Sequence, residues 1–198
     1  MAYIDHQVKL GKNVYIAETA SIYGECEIAD NVKIYENSVI YNSKIGAGTT
    51  IISSYIEESQ IGENNQIGPF ARLRPDSKTD NNVKIGNFVE IKNSTLGEGT
   101  KVAHLAYVGD ADVGSNVNIG CGVVFVNYNG RKKQRVKVGD NSFIGSNANL
   151  IAPLEIAANS YICAGTTMTE STQDGDFVIG RVRPTIKSNR AKDYLKER

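Results

Sequence analysis

Tryptophan is absent from the 198 residues, histidine occurs twice, cysteine three times and proline four times. Each scarcity removes a class of protein. Two histidines, His6 and His104, are too few for a histidine-built zinc centre of the kind a metal-dependent hydratase needs, so no metal is expected. Cys26, Cys121 and Cys163 are widely spaced and odd in number, which gives no disulfide framework and points to reduced thiols and a cytoplasmic location. The 22 Lys and Arg balance the 22 Asp and Glu, so neither nucleic acid nor a membrane surface is an implied partner. No apolar run approaches the ~20 residues of a membrane span. The start, MAYIDHQVKL, lacks a basic stretch followed by an apolar block, so no signal peptide is expected. Low-complexity tracts and linkers are missing too, and the length suits one domain with a real core.

What the chain does have is a repeat. From Leu10 an apolar residue recurs every six positions through Ile16, Ile22, Ile28, Ile34 and Ile40. The series continues, with a few steps of five, to Met168. One degenerate unit, SKTDNN, carries Thr79 in the apolar slot, and the total is 27 units. Two positions before each anchor sits a small or β-branched residue, such as Val8, Val14, Ala20, Cys26 and Val32. Gly or Ala often follows the anchor, as at Gly46, Gly62, Gly86, Gly114 and Gly145. A period of six fits no helix, because 3.6 does not divide it, but it fits a strand that bends at every unit. The anchor then points inward, the small residue fills the corner and the glycine relieves crowding at the bend. Three sides close a triangular coil, so 27 units predict an all-β parallel β-helix of about nine coils, roughly 40 Å tall at ~4.8 Å per coil. Cys26 falls in the small-residue column, and core or corner packing is the reading for it and for Cys163.

The repeat is interrupted at three places. Thirteen residues separate Phe125 from Val138, and the inserted loop VNYNGRKKQRVK, residues 126–137, holds an Asn-Gly turn signal and five basic residues. A solvated loop would explain the charge, but a coil has no structural need of one, and loops on rigid scaffolds often bind ligands. After Gly180 the repeat stops, leaving a basic arm over 181–198 in which AKDYLKER could form a short helix. It reads either as a frayed tail or as an arm that packs on a neighbour or frames an anionic cofactor. Thirdly, Arg74 and Lys92 occupy the position after the anchor in the twelfth and fifteenth units, hence the same side of the prism one coil apart. Two cations ~5 Å apart would repel by ~3 kcal/mol at an effective dielectric of 20, which favours an anion such as phosphate between them. Glu57, three units earlier, offers Arg74 a purely structural partner but lies too far from Lys92.

His104 stands two residues past its anchor Val102, so it should face away from the core. Gly109 should clear space in the column of Arg74 and Lys92. An imidazole, with an ordinary pKa near ~6.5, suits a general base at neutral pH.

The units resemble the hexapeptide repeat of left-handed β-helix acyltransferases, and the resemblance, not the spacing, supplies the left hand. From residue 67 onward the motifs FARLRP (70–75), GNFVEIK (86–92), HLAYVGD (104–110), NIGCG (118–122), NYNGRKK (127–133) and AGTTMT (164–169) are similar to the acetyltransferase domain of the bifunctional glucosamine-1-phosphate acetyltransferase / N-acetylglucosamine-1-phosphate uridylyltransferases. The resemblance implies N-acetylation of glucosamine 1-phosphate by acetyl-CoA, in cell-envelope precursor synthesis, by a homotrimer with active sites between prisms. It gives His104 the role of base. It places Arg74, Lys92, Tyr107, Asn118 and Lys133 on the sugar phosphate, and Cys121, Asn127, Tyr128, Ser146, Ala164 and Arg181 on acetyl-CoA. Cys121 stands where the family commonly has alanine, and it reads as a pocket wall, because direct transfer to an amine needs no covalent intermediate. Backbone N–H groups at 127–128 are candidate oxyanion donors. The resemblance does not reach the nucleotidyltransferase half, and uridylyl transfer is not expected. Two other readings stand beside this one: a hexapeptide acyltransferase for another amino sugar or amine, and a non-enzymatic scaffold or regulatory subunit.

Overall fold

The computed structural model describes residues 1–195 and contains, among them, 29 short strands, from β1 (Tyr3–Ile4) to β29 (Phe177–Val178). Every third strand stacks in parallel, giving faces of ten, nine and ten strands that enclose one core. The 27 anchors counted in the sequence lie one to a strand in β2 (Lys9–Leu10) through β28 (Thr167–Met168). Counting from Leu10 to Met168 misses one strand at each end, around Ile4 and Val178, so the stack exceeds the nine coils expected. The parallel three-sided solenoid is the all-β architecture the repeat predicts, and it is consistent with the left-handed β-helix of the resemblance.

The coil holds its shape through two buried columns. β-Branched isoleucines at most anchors suit a strand whose inner face is closely packed. The second column is the small residue two positions earlier, where Ala20, Cys26, Val32, Ser38 and their successors are buried. Its hydroxyls replace bonds that a shortened corner loses. Four of the five five-residue units carry serine there: Ser43, Ser54, Ser59 and Ser94. Ser94 Oγ donates to Lys92 O at 2.7 Å and accepts the Ala111 N–H of the next coil at 2.9 Å. Ser43 does the same with Tyr41 O (2.7 Å) and the Ser59 N–H (3.0 Å).

The glycines after the anchors do a different job from the one the sequence suggests. A Cβ on Gly46 would stand 2.5 Å from the Gly62 carbonyl, so these glycines admit the backbone of the next coil. The left-handed corner falls two residues later, at Gly48 (φ 70°) or, more often, at asparagines such as Asn64 (φ 55°) and Asn116 (φ 56°). Asparagine visits that region more readily than other non-glycine residues.

Beyond Val178 the described chain is mostly exposed and carries only a short 3₁₀ turn, Ala191–Asp193, in place of the helix expected over AKDYLKER. Residues 196–198 of that expectation lie outside the described residues. The three cysteines are free thiols; Cys26 and Cys163 are buried, and burial, the largest influence, pushes the Cys26 thiol up. No helix among the described residues is long and apolar enough to cross a membrane.

Candidate active site

One face carries the cationic column. Strands β13 (Arg72–Leu73), β16 (Glu90–Lys92) and β19 (Tyr107–Gly109) stack in register, with Leu73 against Ile91 and Lys92 against Gly109. Arg74 and Lys92 therefore do lie one coil apart on one side, as the spacing predicts. They are not, however, two bare cations awaiting an anion. Arg74 Nη1 donates to Glu90 Oε1 at 2.9 Å, and this bond outweighs the opposing desolvation and raises the guanidinium pKa further. Lys92 Nζ donates to Asp110 Oδ1 at 3.0 Å. Glu57, the structural partner considered for Arg74, is paired instead with Arg72 at 3.6 Å. Each charge is thus balanced within the chain. Gly109 does clear space: the Tyr107 ring lies over it, where a Cβ would collide with the phenol.

Asp110 is the buried centre of this face. Only 3% exposed, its carboxylate accepts from Lys92, from Asn93 Nδ2 at 2.6 Å and, at very short range, from Asn127 Nδ2. Burial pushes its pKa up, but the bonds from Asn93, Lys92 and Asn127 outweigh that and hold it below the ordinary carboxylate value. Asn127 Nδ2 also lies 3.4 Å from Tyr107 Oη, so five side chains, Asp110 among them, converge here.

His104 occupies the adjoining corner. It ends β18 (Lys101–His104), and its partner across the ladder is Asn87 at the end of β15 (Lys84–Asn87). Nδ1 of His104 lies 2.9 Å from Asn87 Oδ1. That oxygen only accepts, so Nδ1 is the donor of this pair and Nε2 is the ring nitrogen it leaves unengaged. The imidazole is exposed, as its place past the anchor predicts. Cys121, Ser146 and Ala164 take the same place two residues past Ile119, Ile144 and Ile162, whose strands continue the ladder from Val102. Four of the residues implied by the resemblance thus fall on one line up the prism. Arg181 joins its upper end, donating from Nη1 to Ala164 O at 3.2 Å. Phe70, Phe88 and Leu105 share this corner, all exposed and at positive φ, with the two rings stacked at 5.6 Å.

The inserted loop is shorter than its sequence boundaries. Val126 still belongs to β22 (Val124–Val126) and Val136 and Lys137 already to β23 (Val136–Val138), which leaves 127–135 as the excursion. It is a small hairpin, closed by Gln134 N–H to Asn127 O at 2.8 Å and by a bridge between Tyr128 and Lys133. Asn129 Oδ1 caps its tip by accepting the N–H groups of Arg131 and Lys132, each at 3.0 Å. Arg135 is not a free ligand cation. It is bidentate to Asp112 and also donates to Asn93 O and Ala111 O, pinning the loop to the scaffold; the Asp112 bonds raise its pKa. The Asn127 N–H already donates to Phe125 O at 2.9 Å, which leaves Tyr128 N–H as the oxyanion candidate of the pair. Asn118 stands apart, in β21 (Asn118–Ile119) between Lys101 and Phe143, on a different face from Arg74, Lys92 and Tyr107.

Asn87, Glu90 and Asp110 are the residues that sequence reasoning passed over. Asn87 and Glu90 sit inside the motif GNFVEIK, and Asp110 closes HLAYVGD. Counting one coil back from His104, or one coil on from Lys92, would have found two of them.

The six-repeat model of the bacterial transferase hexapeptide matches residues 7–42. The bifunctional protein GlmU of Clostridium botulinum (strain ATCC 19397 / Type A) is 48% identical over 185 residues, 93% of this chain and 40% of that protein. The chain belongs to the bacterial transferase hexapeptide family. A second relative of this hexapeptide protein, the GlmU of Clostridium beijerinckii, is 46% identical over 181 residues, 91% of this chain and 40% of that one. The chain spans about 40% of the length of these curated relatives. Among solved structures, the UDP-N-acetylglucosamine acyltransferase of Arabidopsis shares the fold with a TM-score of 0.59 at 14% identity, covering 87% of this chain and 67% of that one. A mutant GDP-perosamine N-acetyltransferase from Caulobacter crescentus, in complex with CoA and GDP-perosamine, gives a TM-score of 0.53 at 24% identity, covering 59% and 53%.

Proposed function

We propose that the chain is an acetyl-CoA-dependent N-acetyltransferase of an amino sugar phosphate, with glucosamine 1-phosphate as the acceptor. The observation that carries this reading is the His104–Asn87 pair at the foot of the line of Cys121, Ser146 and Ala164. It puts an oriented imidazole beside a run of small side chains along which an extended thioester can lie. The sugar amine attacks as the free base. As its nitrogen bonds to the acetyl carbonyl carbon, His104 Nε2 takes the proton, and the tetrahedral intermediate collapses with the CoA thiolate as leaving group. In this reading Arg74 and Lys92 take the phosphate, with Tyr107, Asn118 and Lys133 completing the acceptor site. Asn127, Tyr128 and Arg181 join the corner line in holding acetyl-CoA. The self-contained Arg74–Glu90 and Lys92–Asp110 pairs keep a second acceptor class, an amino sugar without phosphate, in view.

Asn118 and the Tyr107 face point to different sides of one prism, and so they meet around a single acceptor only where two prisms pack together. A homotrimer with sites between its subunits accounts for that division. The GlmU relatives and the CoA complex of the fold neighbour support the chemistry.

The test is CoA release from acetyl-CoA with glucosamine 1-phosphate, glucosamine 6-phosphate and glucosamine offered separately. Preference for the 1-phosphate is expected. Equal rates on all three would remove phosphate recognition, and no release from folded protein would favour the scaffold reading.

A further inference from the structure

We propose that Asp110 is a positioning residue that ties Lys92, on the acceptor face, to Asn127, at the root of the inserted loop, so that the two half-sites are set as one unit. The inference rests on the assignment of Lys92 to the acceptor and Asn127 to acetyl-CoA made above.

The geometry is that of a clasp. Asp110 stands at a corner, at φ 51°, directly after β19. Its backbone is held on both sides: its N–H donates to Lys92 O at 2.9 Å, and its C=O accepts the Val136 N–H at 3.2 Å, where the chain re-enters the coil after the loop. Its side chain then divides its two oxygens. Oδ1 takes Lys92 and Asn93, and Oδ2 takes Asn127. Asn127 in turn closes the hairpin through its own carbonyl. A carboxylate is a costly group to bury, and the other carboxylates at corners of this column, Glu58 and Asp76, are exposed whereas Asp110 is not. A charge kept at this corner, with lysine on one oxygen and the loop on the other, does what a neutral corner residue cannot. It fixes the lysine ammonium and the loop root against each other through one rigid group. A movement of either is felt by the other without contact between the two ligands.

The experiment measures acetyl-CoA affinity of the full chain by calorimetry, in wild type, Asp110→Asn, Lys92→Met, the double variant and Arg74→Ala. Lys92 has no donor-side role, yet its replacement is expected to weaken acetyl-CoA about 5–10-fold through Asp110. Asp110→Asn should do the same, and the double variant should be no weaker than the worse single one, because both break one linkage. Arg74→Ala, on the same face but outside the clasp, should leave acetyl-CoA affinity unchanged. Additive losses, or unchanged affinity in a folded Asp110→Asn protein, would overturn the proposal. If Asp110→Asn does not fold, the contrast between Lys92→Met and Arg74→Ala decides alone. Wild type that fails to bind acetyl-CoA would instead sink the functional reading on which the proposal stands.

Discussion

Among single residues, His104 can be tested most directly, because it is exposed and makes no core contact. His104→Ala is expected to lower turnover roughly 10²–10⁴-fold with a thermal midpoint close to wild type. Unchanged turnover would remove it as the base. Asn87→Ala frees the ring and its tautomer, and a fall of about 10-fold in kcat with little change in either KM should follow. The two cations of the acceptor face differ in what they cost. Arg74 is partly exposed, so Arg74→Ala should raise the acceptor KM while changing stability by no more than ~1 kcal/mol. Lys92→Ala leaves a buried carboxylate short of its cation, and about 1–3 kcal/mol of stability should go with the acceptor KM. Because the folded-state pKa of Asp110 is lowered, its contribution is present above the unfolded value near ~3.9 and is lost as pH falls through the folded one. Urea melts from pH 7 down to 3 should therefore show the advantage of wild type over Asp110→Asn shrinking below about pH 4. This is also the scale at which the sequence was hardest to read. Spacing put Arg74 above Lys92, but which carboxylate each would take depends on side-chain reach across a ladder. Glu57, level with Arg74 on the preceding strand, pairs with Arg72, while Arg74 and Lys92 each reach a carboxylate off their own column, Glu90 and Asp110.

Single coils were legible almost to the residue, because one inward side chain per unit leaves no freedom of register: a slip by one would turn every anchor outward. What the repeat concealed was the work of its small positions. Gly46 reads as a bend residue and is in fact a clearance residue. Gly46→Ala should therefore cost well over 1 kcal/mol, since the Gly62 backbone cannot yield to a methyl group without shifting a coil. Gly130→Ala, at φ 88° in the loop with nothing within 4 Å, should cost only about 1 kcal/mol of backbone strain. Chemical denaturation of the two variants side by side would separate clearance from conformation. The loop itself was visible as a gap in the count. Its ends were not, because Val126 and Val136 already obey the strand pattern, and a count of five basic residues does not show that Arg135 is taken up by Asp112.

For the whole molecule, the trimer proposed above, with its acceptor site shared between two faces, predicts a solution mass three times the 21.5 kDa of one chain, and sedimentation equilibrium would read it directly. A mass of one chain, with activity retained, would mean that Asn118 takes no part in the site. The regular register has a further consequence, for how such a molecule comes into being. Each strand pairs with one 16 to 18 residues further on, as Ile40 with Ile56, Ile56 with Leu73 and Ile22 with Ile40, and only across the loop does the interval grow to 25, as from Val124 to Asn149. Among the described residues each strand thus pairs only with those one coil away, and even the Arg135 bond to Asn93 O reaches back just 42 residues. Folding can advance like a rope being laid down, one turn at a time, as the nascent chain emerges. The longer interval at the loop adds only about 0.3 kcal/mol of closure entropy. A winding process that tolerates so cheap a pause can carry an inserted loop in its middle without losing count.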